Sequence, residues 1–155
     1  MVFRENGSIG KYLDILKHLL VSQQVGTLAT QDREQPYTSL VAYAANKDMK
    51  TIIFVTSGDT RKYNNIVNNS KVSLLIHNYG GDVSDLNQAV AVTILGTAKV
   101  ISPQDKDYLT DLYLAKYHYL ENFVRQPENK LIMITVYDYI IATFGETKHL
   151  YAQDI

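Results

Sequence analysis

From Val25 onward the chain reads as short runs rich in Val, Ile, Thr, Tyr and Ala, separated by polar turns. The runs are VGTLAT, YTSLVAYAA, TIIFVT, KVSLLIH, AVAVTILGTAKVI and LIMITVYDYIIATF. Runs of this texture, bounded by turn residues, predict six successive strands. In the last of them Ile132, Ile134 and Val136 alternate with Met133, Thr135 and Tyr137, the period of two expected of a strand whose faces meet different surroundings. Ahead of the strands, residues 8–22 place Ile9, Tyr12, Leu13, Leu16, Leu19 and Leu20 on one helical stripe, with Ser8 as the cap. Two further helices interrupt the strands. One is expected from about Asp59 to Asn69, after a Ser57-Gly58 turn and capped by Asp59 or Thr60. The other opens with Ser102 as cap, Pro103 at the first helical position and Asp105 on the third, close to a capping box. Leu109, Leu112, Leu120 and Phe123 supply its apolar stripe before the RQPENK turn. Strands joined by hairpin-length links, without alternating helices, predict a mainly β (α+β) protein, an antiparallel sheet closed into a barrel with helices outside it or at one end. The segment HNYGGDVSDLNQ, with paired glycines and no apolar period, predicts a long loop.

Composition narrows the functional classes. With 155 residues, of which 46% are hydrophobic, one domain spanning 1–155 is expected, with a core that needs no disulfide or metal staple. The sequence has no cysteine, which excludes thiolate catalysis, thiolate zinc sites, iron–sulfur ligation and disulfides. A net charge of −1 offers no broad basic field to nucleic acid or an anionic membrane, so any anion site must be local. Lys11, Asp14, Lys17 and His18 break the apolar run that a signal peptide would need. No stretch approaches the roughly 18 consecutive apolar residues of a membrane span. A soluble, cytoplasmic protein with no nucleic-acid or membrane partner is expected.

The most informative chemistry lies in FVTSGDTRKYNNIVNN, residues 54–69. A strand ends at Thr56, the chain turns, and a helix begins with Thr60, Arg61 and Lys62 in its first turn. Helix N-termini carry unpaired N–H groups and a partial positive charge, so they favour anions. Two cations there oppose the dipole unless an anion sits in front of them, and the hydroxyls of Thr56, Ser57 and Thr60 stand ready to complete a phosphate shell. Exposed cations beside ordinary caps are the competing reading. No phosphate loop, dinucleotide fingerprint, HExxH or GxSxG motif occurs. The four histidines, His18, His77, His118 and His149, are scattered. Among the 12 tyrosines, Tyr113, Tyr117 and Tyr119 cluster on the late helix, as amphipathic rings would at a barrel–helix seam or a dimer interface.

In order, VGTLAT, QPYTSLVAYAA, TIIFVTSGDTRKYNNIVNNSKVSLLI and AVTILGTAKVIS resemble the flavin-binding split β-barrel of the pyridoxamine 5′-phosphate oxidase-like proteins, over residues 20–102. The most specific part is Phe54, Thr56, Arg61-Lys62, Asn69 and Lys71-Val72-Ser73-Leu74-Leu75, and Leu114 to His118 and Thr143-Phe144-Gly145 resemble the same proteins. The resemblance implies a six-stranded antiparallel split β-barrel with flanking helices. It also implies a homodimer binding two FMN molecules at the subunit interface, each phosphate held at Arg61 and Lys62. Thr38, Ser39, Leu40 and Val41 would line the isoalloxazine, largely through backbone groups, and Val55 and Thr56 would contact the cofactor at the strand end. Ser57 and Thr60 complete the candidate set. Ala91 stands where the true oxidases carry a flavin-contacting glutamine, and the chain has no tryptophan and ends FGETKHLYAQDI, without their basic substrate motif. The resemblance therefore implies an FMN-dependent oxidoreductase acting on a small-molecule redox substrate other than pyridoxamine phosphate. No catalytic side chain is assigned; Tyr43, His77 and the loop 78–87 are candidate pocket lining. Two alternatives stand beside it on the same barrel. One is a haem-binding or haem-utilisation protein with His118 or His149 on the iron, and the other is a non-catalytic flavin or deazaflavin binder.

Overall fold

A computed structural model describes residues 6–102 and 107–155. Helix α1 spans Asn6–Ser22, followed by β1 (Val25–Asp32), β2 (Gln35–Ala45), β3 (Thr51–Ser57), α2 (Arg61–Asn68), β4 (Lys71–His77) and β5 (Ala91–Val100). Then come α3 (Asp107–Lys116), α4 (Glu121–Val124), β6 (Asn129–Thr143) and β7 (Glu146–Tyr151). The strands run in the order β3-β2-β1-β4-β5-β6, all antiparallel, and β3 pairs with β6 to close a six-stranded barrel. β7 pairs with β6 outside the ring. The expected six-stranded barrel is present, and the sequence reading lacked only β7, whose ETKHLY shows no apolar alternation.

Two apolar clusters hold the barrel. The interior is filled by Leu28, Tyr43, Ile52, Phe54, Leu74, Ile76, Ile94, Ile132 and Ile134, and α1 closes one end of it with Tyr12, Leu16, Leu19 and Leu20. The second cluster lies on the outer wall, where Ala44, Ile53 and Leu131 meet Tyr113 and Tyr117 of the late helical region. The period-two expectation for β6 holds: Ile132, Ile134 and Val136 are buried, whereas Thr135 and Tyr137 are exposed. Among the described residues no helix is long and apolar enough to cross a membrane.

Several boundaries differ from expectation. α1 begins at Asn6, so Ser8 lies within the helix rather than capping it, and Ile9 is 37% exposed at its outer end. The cap of α2 is Thr60. Pro103 and Asp105, expected to open the late helix, lie outside the described residues. That helix is not continuous: α3 ends at Lys116, a short 3-10 turn covers His118–Leu120, and α4 follows. The break falls at Tyr117, whose φ of −126° leaves helical space. Its buried hydroxyl reaches the carbonyls of Gln24 at 2.5 Å and Tyr43 at 2.6 Å. Tertiary hydrogen bonds outweigh the helical preference there. The loop after β4 holds a 3-10 turn, Val83–Gln88, whose first turn is capped by Asp82.

Lys116 belongs to the same knot. Its ammonium donates to the carbonyls of Leu20 at 3.3 Å and Gln23 at 2.7 Å, capping the end of α1, and lies 4.2 Å from the Tyr43 ring centroid. Tyr43 in turn donates to the carbonyl of Leu19. Burial lowers the Lys116 ammonium from its ordinary 10.5 to about 8. Burial raises Tyr113 from 10.0 to about 12 and pushes Tyr43, Tyr117 and Tyr139 upward as well.

Between pH 8 and 10.5 the unfolded chain holds a lysine proton that the folded chain has released, so stability should rise with pH in that window. Above the ordinary phenol value of 10.0 the unfolded tyrosines ionise while the buried ones keep their protons, so stability should fall. Urea midpoints measured across this range should rise from pH 8 and then drop, and Lys116→Met should abolish the rise but not the drop. A second expectation concerns Gly96, where β5 and β6 slip register between Leu95 and Gly96. A Cβ at Gly96 would stand 2.5 Å from Ile134 Cγ2 and 2.6 Å from the Thr135 carbonyl. Gly96→Ala should therefore cost about 1–3 kcal/mol, read as a lower urea midpoint at an unchanged slope.

Candidate functional site

β2 and β3 pair only at Tyr43↔Phe54, Ala44↔Ile53 and Ala45↔Ile52. Beyond these, β2 stays with β1 as far as Gln35, whereas Val55, Thr56 and Ser57 of β3 stay with β6. The barrel is thus split between Thr38–Val41 on one side and Val55–Ser57 on the other. Along the split, the β2 backbone groups facing β3 have no strand partner, and such groups require water or a polar ligand. Thr38 is exposed and Leu40 is 70% exposed, while Val41 turns inward and is buried. Ser39 carries a buried hydroxyl oxygen with no hydrogen-bond partner.

The turn after β3 lies at the end of this split. Thr56 is buried, and its hydroxyl sits 3.0 Å from that of Thr60. Thr60 donates to the Ser57 carbonyl at 3.0 Å and accepts from the Tyr63 N–H at 3.3 Å as the N-cap of α2. The Gly58 N–H donates to the Glu128 carbonyl at 2.9 Å, which ties the turn to the segment entering β6. With the Thr56 and Thr60 hydroxyls engaged inside the turn, the groups left for an anion are the first-turn N–H groups and the side chains of Arg61 and Lys62. α2 has no acidic residue in its first turn and no basic residue in its last, the reverse of what the helix dipole favours. Among the described residues the ion pairs are Arg125–Glu121 and His149–Asp138, so neither Arg61 nor Lys62 has a carboxylate partner.

Two contacts invisible in the sequence fix this helix over the split. The buried Asn65 amide donates to Thr30 of β1 at 3.0 Å. The Arg61 guanidinium lies 4.7 Å from the centroid of the Tyr37 ring on β2. Neither Tyr37 nor Asn65 was singled out from the sequence, because their partners are 24 and 35 residues away.

Within one protomer, the residues expected as pocket lining do not lie beside the turn. Tyr43 is fully buried, its hydroxyl spent on Leu19, and cannot line a pocket. His77 ends β4, at the opposite end of the strands from the turn, and its Nδ1 accepts from the Tyr79 N–H. With Tyr79, Leu86 and Phe144 it borders a separate apolar concavity of about 350 Å³. His118 is exposed beside the Tyr119 ring. His149 is half-exposed, with Nδ1 2.9 Å from Oδ2 of the buried Asp138, whose Oδ1 has no partner. No group of three or more metal-ligating side chains occurs among the described residues.

Comparisons agree with this architecture. No curated protein matches the sequence. A heme binding protein from Mycobacterium smegmatis superposes with a TM-score of 0.78 at 17% identity, covering 89% of this chain and 57% of that one. The chain therefore spans little more than half of the mycobacterial protein. A protein from Clostridium acetobutylicum related to general stress protein 26, of the pyridoxinephosphate oxidase family, gives 0.70 at 14% identity over 93% and 96% of the two chains. A FAD-binding protein from Mesorhizobium loti gives 0.66 at 16% identity over 84% and 90%. At such identities the likeness shows the fold alone. The family profile for pyridoxamine 5′-phosphate oxidase matches residues 13–139. With that match over most of its length and the split barrel it folds into, the chain belongs to the pyridoxamine 5′-phosphate oxidase family.

Proposed function

We propose that the protein binds FMN at the split, as a homodimer with the cofactor between protomers, and acts as a flavin-dependent oxidoreductase. The observation that carries this reading is the placement of Arg61 and Lys62, two cations without carboxylate partners among the described residues, on the anion-attracting end of α2. The split beside them fits a flavin: it offers unpaired β2 backbone groups and the orphaned Ser39 hydroxyl to a polar ring edge. Arg61 and Lys62 would hold the phosphate, Thr38–Val41 and Val55–Thr56 would meet the ring system, and Ser57 and Thr60 would shape the turn. When bound, FMN supplies hydride and single-electron transfer, while the chain supplies binding and electrostatics. The family and the FAD-binding neighbour support a flavin, and the phosphate turn supports FMN.

The homodimer is supported by the outer wall of β2, β1 and β4. There Leu40, Thr27 and Leu75 lie in one cross-strand row, with Leu40 70% and Leu75 38% exposed and Val25 nearby at 51%. Exposed aliphatic residues on adjoining strands mark a surface suited to a partner. On this reading the site in one protomer is a surface turn that a second copy would wall in, as the two-fold pairing of like subunits allows.

A second reading rests on the Asp138–His149 pair. A buried carboxylate that holds imidazole Nδ1 leaves Nε2 pointing outward, the arrangement found behind metal-ligating histidines, and one neighbour is a heme binding protein. Haemin titration decides this: a Soret shift that His149→Ala removes supports an iron ligand, and identical spectra from both proteins refute it.

For the leading reading, fluorescence titration with FMN should show tight binding and the purified protein should absorb in the visible. Arg61→Ala combined with Lys62→Ala should weaken FMN by roughly a hundredfold, the loss of about two charge-assisted hydrogen bonds. The denaturation midpoint should hold, because both side chains lie at a helix start. Unchanged FMN affinity in the double variant would place the phosphate elsewhere, and stronger stabilisation by a deazaflavin than by FMN would change the cofactor.

A further inference from the structure

We infer that Tyr37 sets the ligand selectivity of the α2 turn: by holding the Arg61 guanidinium against its ring it makes the site discriminate for a terminal phosphomonoester. This inference rests on the phosphate being bound at Arg61 and Lys62. Tyr37 stands on β2 immediately before Thr38–Val41, opposite Thr30 of β1. Thr30 also receives the Asn65 amide of α2. The helix start is therefore tied to the split from two sides: Asn65 fixes the helix body to β1, and Tyr37 fixes the Arg61 side chain to β2. A free arginine at an exposed helix start samples many rotamers, and ordering it on a ligand costs entropy. Lying 4.7 Å above a ring, the guanidinium has lost much of that freedom before a ligand arrives. The ring also leaves the chemistry of the fork intact. The ring carries no charge and takes none of the carboxylate-type fork–fork pairing, so the guanidinium's charge and its bidentate N–H pairing stay available to an anion. Among the described residues Arg61 makes no ion pair, and the group it meets is the neutral Tyr37 ring.

The ligand class that follows is a small molecule ending in a phosphate dianion, distinguished from the same molecule without the phosphate. FMN and riboflavin differ in that group alone, so the ratio of their dissociation constants measures what the turn contributes. Wild-type protein should prefer FMN. Tyr37→Leu should narrow the preference roughly two- to fivefold, the size expected of an exposed cation–π contact, while leaving riboflavin affinity in place. Tyr37→Phe keeps the aromatic face and should retain the full ratio. In an Arg61→Ala background, Tyr37→Leu should produce no further narrowing, because the coupling runs through that one side chain. If the leucine variant does not fold, Arg61→Lys tests the same contact from the other side, keeping the charge but losing the planar fork, and should narrow the ratio similarly. Equal weakening of FMN and riboflavin by Tyr37→Leu, or undiminished narrowing without Arg61, would overturn the inference. Removal of Arg61 and Lys62 separates the two failures. If that removal collapses the ratio and Tyr37→Leu does not, only the role of Tyr37 is lost; if it leaves the ratio untouched, the phosphate site itself is wrong.

Discussion

Closure of the barrel through β3 and β6 is the constraint on which the rest of this structure depends. β3 pairs with β6 along its whole length, seven residues from Thr51 to Ser57, and keeps only three pairs with β2. A closed barrel requires its strands to tilt and stagger, and β2, hydrogen-bonded to β1 over eight residues from Gln35 to Ala42, parts from β3 rather than from β1. The register slip at Leu95/Gly96 adds a local bend between β5 and β6 on the neighbouring side of the ring. The split and the polar backbone it exposes are thus geometric consequences of closure.

What lies beside the split is arranged with unequal rigidity. The turn from Thr56 to Thr60 is braced by two hydroxyls and by the Gly58 link to Glu128. The cations that follow it have no acidic neighbour in the helix start, although such placement opposes the helix dipole. Either cation would serve α2 better at its other end, so stability alone does not account for their placement, and it is this placement on which the proposed phosphate site rests.

The second core explains which wall of the barrel remains open. Tyr113 and Tyr117 cover the outer faces of β2, β3 and β6 through Ala44, Ile53 and Leu131. The same region binds the C-terminal end of α1 through Lys116 and Tyr117. Buried phenols with hydrogen-bonded hydroxyls supply both bulk and direction here, in a chain that has no tryptophan. Cover on that side leaves the outer wall of β1, β4 and the first half of β2 as the face where Leu75 and Leu40 stand exposed.

Period and turn chemistry along the chain determined the strand runs, the barrel class, the cap region of α2 and the unusual cations in its first turn, because each depends on residues within a few positions of one another. Thr60, Arg61 and Lys62 could be read as an anion site from local physics, and the neighbouring Thr38–Val41 only through resemblance to a family. Tertiary structure alone decided that these two stretches border one gap, that Tyr37 lies under Arg61 and Asn65 reaches Thr30, and that Tyr43 belongs to the core. It also decided that Tyr117 ends a helix and that ETKHLY forms a seventh strand. Each of these turns on partners about twenty or more residues away, or, for β7, on a neighbouring strand whose pairing supplies what the local pattern lacks. Burial and hydrogen bonding across such separations are set by closure of the ring, which leaves no periodic trace in the segments it brings together.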